Sequence, residues 1–114
     1  MRISDKALLK TQAYVDGQWI DADSGETLAV LNPANGEIVA EIAKCGTAEA
    51  RRAIEAAETA QVGWRKKSAK ERAAILRQWF ALMMDAQDDL AQILTAEQGK
   101  PLAEAKGEIA YGAS

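Results

Sequence analysis

Histidine is absent from the sequence, and cysteine occurs once, at Cys45. Without histidine no Ser–His or Cys–His pair can be assembled, and the commonest general base and zinc ligand are gone. A lone cysteine forms no internal disulfide, which fits a reducing compartment. No window holds the roughly 18 apolar residues that a membrane-crossing helix needs. The opening, MRISDKALLKTQAYVDG, has no apolar run of signal-peptide length and no cleavage pattern. A cytoplasmic location is therefore the expectation, with no membrane partner. Basic blocks are also missing, and the net charge is −3. That argues against a nucleic-acid partner, because such binding rests on neutralising phosphates. Aromatic residues make up only 5%, so any core must be built from smaller side chains.

What is present suits a small folded chain. Hydrophobic residues account for 48% of 114 residues, with alanine abundant. That is enough for one domain with a largely helical core.

The first third reads as short strands. AYVDGQWIDA places Asp16-Gly17 between two apolar pairs, and Asp-Gly tolerates positive φ at both turn positions. DSGE (23–26) is a second turn, and NPANGE (32–37) joins Asn-Pro to Asn-Gly. Between them TLAVL (27–31) alternates Leu28 and Val30, and EIVAEIA (37–43) alternates Ile38, Ala40 and Ile42. The expectation is a small antiparallel β meander over 12–43, marginal alone and in need of something to pack on.

Residues 47–114 read as three to four helices. Thr47 is the expected N-cap of the first, with Glu49 facing its dipole. Ala50, Ala53, Ile54, Ala57 and Ala60 recur at helical spacing, and Gly63 is the expected stop. Ser68 and Glu71 form a capping box ahead of Ile75, Leu76, Trp79, Phe80, Leu82, Met83 and Met84. That apolar set is wider than one stripe and calls for cover on more than one side. The polar DAQDD (85–89) predicts a break, after which Leu90, Ile93 and Leu94 carry the pattern to Gln98. Gly99 suits a left-handed helix end, and Pro101 the first turn of the next helix. Leu102, Ala105 and Ile109 share a face of that last helix, with Gly112 able to cap it. The fold class is α+β.

Each polar candidate has a plain structural reading beside its chemical one. Gly99-Lys100 ends like a phosphate loop, but the glycine such a loop needs five residues earlier is Leu94. The residue after the lysine is Pro101, which offers no N–H to a phosphate. Glu97, Glu104 and Glu108 could split their pKa values for acid–base work if buried. With Lys100 and Lys106 close by, a solvated charged face is the simpler reading. Cys45 lies between Lys44 and the start of a helix, a setting that could activate a thiolate. Lacking a histidine base, it reads as a structural thiol. No Gly-x-Gly-x-x-Gly fingerprint and no metal-ligand spacing is present. The residues alone leave three classes open: an interaction module, a structural subunit, or part of a larger enzyme.

Several stretches resemble one family in order along the chain. LNPANGE (31–37) after a small hairpin is similar to the opening of the aldehyde dehydrogenase superfamily. EQGKPLAEAKGEI (97–109) resembles that family's helix junction. The run from Ala69 to Ser114 closely resembles its succinate-semialdehyde dehydrogenase branch. The resemblance covers nearly the whole chain, most loosely over the first dozen residues.

The resemblance implies an aldehyde dehydrogenase-like α/β fold, of which residues 1–114 would be the N-terminal part of the NAD(P)-binding domain. It implies NAD- or NADP-dependent oxidation of a small aldehyde, succinate semialdehyde to succinate, by an enzyme that is a homo-oligomer at full length. In that chemistry a cysteine thiolate attacks the aldehyde, an asparagine and a backbone amide hold the oxyanion, and a glutamate activates water. None of those residues maps onto this chain, so its catalytic and cofactor-binding sets are empty, and Cys45 does not match the nucleophile. Alone, the chain is expected to be inactive. The resemblance also implies a monovalent cation site, with backbone carbonyls of Val30 and Leu31 and the carboxylate of Glu97 as its matching groups. The alternative is a self-contained helical interaction or structural module without catalysis.

Overall fold

The first turn in the computed structural model, which describes Met1–Ser114, is fixed by two positive φ angles, 51° at Asp16 and 74° at Gly17. Such a pair twists as its flanking strands do. It joins β1 (Ala13–Val15) to β2 (Gln18–Ile20), with Tyr14 opposite Trp19. Their ring centroids lie 5.0 Å apart, and Lys10 Nζ stands 4.7 Å over the Trp19 ring.

A second hairpin pairs β3 (Thr27–Leu31) with β4 (Ile38–Ala43). Its NPANGE turn is held by short local bonds. Asn32 Oδ1 accepts from Ala34 N–H at 2.9 Å, Gly36 N–H donates to Asn32 C=O at 2.8 Å, and Gly36 takes φ 75°. The register slips at Val30/Leu31, where Leu31 faces Ile38 and Val39 is skipped. The expected meander is therefore resolved into two separate two-stranded sheets. The link between them is one bond from Ala43 N–H to Thr11 C=O at 2.8 Å.

Four helices follow: α1 (Thr47–Trp64), α2 (Ala69–Asp85), α3 (Gln87–Gln98) and α4 (Leu102–Ala113). The N-cap of α1 is Gly46, not Thr47. Glu49 takes over the capping role by reaching back to Gly46 N–H at 2.6 Å. Gly63 does not stop α1, which keeps helical geometry to Trp64, with Arg65 as C-cap. Ile54 is 68% exposed; the inward face of α1 runs instead through Glu49, Ala53, Ala56 and Trp64. The Glu49 anchor sets that rotation. Ser68 and Glu71 cap α2 reciprocally, at 2.7 and 3.2 Å. The break falls at Ala86, within DAQDD. Gly99 ends α3 at φ 86°, Pro101 is the N-cap residue of α4, and Gly112 lies inside α4.

Alanine makes the core. Ala91 and Ala105 are fully buried and Ala96 nearly so, where α3 and α4 lie against each other. Small side chains let two helices approach closely, and Gln87 Nε2 adds a 3.0 Å bond to Lys106 C=O. Only five residues of 114 are buried, and no large side chain is fully enclosed. The radius of gyration is 16.5 Å, against about 13 Å for a compact chain of this length. Ile75, Leu76, Trp79, Phe80 and Leu82 are all more than two-fifths exposed. The broad apolar face of α2 thus finds no full cover within the molecule. No helix is long and apolar enough to cross a membrane.

Candidate functional site

The helix junction at Gly99 is where the two matched motifs meet. A Cβ on Gly99 would lie 2.8 Å from Pro33 Cγ, closer than carbon atoms can approach. The NPANGE turn therefore stacks directly on the end of α3. This contact joins the segment that carries Val30 and Leu31 to the segment that carries Glu97. Beside it lies a cavity of about 200 Å³ lined by Asn32, Gln92, Thr95 and Gly99 among others. The Thr95 hydroxyl is buried without a hydrogen-bond partner. Lys100 N–H donates to Gln98 Oε1, as a helix-end turn does and a phosphate cradle does not.

The structure does not bring the three glutamates together as an acid–base set. Glu97, Glu104 and Glu108 are all exposed. Glu108 pairs with Lys100, and Lys106 pairs with Asp88 at 2.8 Å. Cys45 is an exposed free thiol. No cluster of three or more His, Cys, Asp or Glu could hold a metal ion. Val30 and Leu31, whose carbonyls the resemblance names, lie at the end of β3, and Glu97 lies near the end of α3. The β-bulge at Val30/Leu31 interrupts the regular strand ladder where those carbonyls lie.

Two charged arrangements were not foreseen. In the first, buried Glu49 accepts from Gly46 N–H and from Asp23 N–H, the latter at 2.9 Å. Those two amides, Gly46 first, hold its carboxyl below the usual range. Asp23 receives the Arg52 guanidinium in a fork, both bonds 2.7 Å, which lowers the Asp23 carboxyl and raises Arg52. This knot pins the 23–26 turn to α1. It borders an open groove of about 660 Å³ between the first hairpin and α1, flanked by Asp16, Asp21 and Glu55. The glutamate three residues past Gly46 was a readable capping signal; the partner 26 residues away was not.

In the second arrangement, Asp89 grips the start of the chain. Its two oxygens accept Ser4 N–H and Asp5 N–H, each at 2.8 Å. These amides, Asp5 before Ser4, hold the Asp89 carboxyl low. Asp5 in turn accepts from Ala7 N–H and opens a 3-10 turn at Lys6–Leu8. Both arrangements hold backbone in place.

The sequence profile of the aldehyde dehydrogenase family matches residues 19–114. The chain belongs to the aldehyde dehydrogenase family. Its similarity to individual aldehyde dehydrogenases runs end to end. It is 60% identical to glutarate-semialdehyde dehydrogenase of Pseudomonas putida, over all of this chain and 24% of that protein. It is 55% identical to the NADP(+) succinate-semialdehyde dehydrogenase of Escherichia coli, with the same shares. Among solved structures, succinate-semialdehyde dehydrogenase from Burkholderia pseudomallei superimposes with a TM-score of 0.95. It is 61% identical, over 98% of this chain and 23% of that one. The chain thus spans about a quarter of the length of the curated aldehyde dehydrogenases it matches. Both matched motifs, LNPANGE and EQGKPLAEAKGEI, fall inside the family match.

Proposed function

We propose that the chain serves as the amino-terminal part of an NAD(P)-dependent aldehyde dehydrogenase, with residues 12–43 as its β-hairpin region and 47–114 as its outer helices. The observation that carries this reading is the uncovered apolar face of α2, together with a match spanning about a quarter of each relative. A self-contained module of this size would enclose its large apolar side chains. Here Trp79 is 63% exposed and Leu82 62%. In the proposed enzyme this face packs on the part of the polypeptide that supplies the nucleotide site.

The substrate class is a short aldehyde with a distal carboxylate. The glutarate- and succinate-semialdehyde relatives share that chemistry at similar identity, 60% and 55%. NADP(+) is named for one of these relatives, which supports a nicotinamide cofactor. The chain supplies no nucleophile, oxyanion donor or general base, and on its own it is inactive. Val30, Leu31 and Glu97 are proposed as ligands of a monovalent cation, supported by the Pro33–Gly99 contact that joins their segments.

The test is to translate the coding frame past Ser114 and assay the product for NAD(P)+ reduction with succinate and glutarate semialdehydes. The 114-residue chain alone should give no turnover and should bind a hydrophobic dye strongly. Turnover by the chain alone would overturn the proposal. So would a sharp unfolding transition with little dye bound, which would favour the self-contained module. For the cation, the melting midpoint of the enzyme is compared in sodium and in choline salts. A sodium-dependent rise that Glu97→Gln abolishes is expected, and no ion dependence would remove the site.

A further inference from the structure

We draw no further inference here: the strongest candidate, the exposed apolar face of α2 formed by Leu76, Trp79 and Phe80 beside the end of α4, already enters the proposed function, and no contact in the structure shows what else could cover it.

Discussion

Gly99 and Pro33 are in such close contact that no side chain fits between them: a Cβ on Gly99 would stand 2.8 Å from Pro33 Cγ. Gly99 also holds φ 86°, a conformation that costs an L-residue about 1–2 kcal/mol. Both effects have the same sign. Gly99→Ala is therefore expected to destabilise the protein by at least that amount, measured as a lower urea midpoint. Gly107 gives the opposite case. It lies inside α4, and a Cβ there meets nothing within 4 Å. Gly107→Ala should stabilise by about 0.5–1 kcal/mol through helix propensity. Equal shifts in the two variants would refute the packing argument.

Ala105 and Ala91 are both fully buried where α3 packs on α4. Enlarging Ala105 to Leu is expected to cost about 1–3 kcal/mol by forcing the helices apart. Ala103→Leu, on the exposed side of the same helix, should be nearly neutral. Denaturant titration of both variants checks the contrast.

Acid should weaken the fold by way of four carboxylates. Asp23, Glu49, Glu71 and Asp89 all have folded pKa values below their ordinary ones. Asp23 is lowered chiefly by Arg52, Glu49 by Gly46 N–H, Glu71 by Ser68 N–H, and Asp89 by Asp5 N–H. The folded state thus binds fewer protons than the unfolded one. Their contribution is complete above the ordinary carboxylate range and fades as pH drops through the lowered values. The unfolding midpoint, followed from neutral pH downward, should fall below that range. Asp89→Asn should flatten the slope and also raise hydrogen exchange at Ser4 and Asp5. The Asp23–Arg52 fork is half exposed on both sides, so raising salt should weaken its share.

Cys45 is exposed and should be alkylated completely in the native protein. Cys45→Ser should leave turnover unchanged in any active enzyme carrying this segment. A large loss of turnover would overturn the reading of Cys45 as a structural thiol.

Sequence was a good guide wherever the cause is local. Asp16-Gly17 makes its turn because two adjacent residues accept positive φ. Ser68 and Glu71 cap α2 because their spacing closes the box. Gly99 ends α3 for the same kind of reason. The start of α1 was misplaced by one residue because a side chain from inside the helix, Glu49, did the work assigned to Thr47. The outward turn of Ile54 follows from that anchor and leaves no trace in the apolar spacing. Least legible was the grip of Asp89 on Ser4, 85 residues away. The DAQDD cluster marked a helix start but could not say whose amides it would also hold. At the candidate site, LNPANGE and EQGK could each be read as turns, but their stacking through Pro33 and Gly99 could not.

The alanine seam has a thermodynamic consequence. Each buried alanine withdraws one methyl group from water, and no large side chain in the molecule is fully enclosed. Heat-capacity change on unfolding scales with newly wetted apolar area, so calorimetry of the isolated chain should show a small step. That step should fall well short of the roughly 12–15 cal/mol/K per residue of ordinary domains.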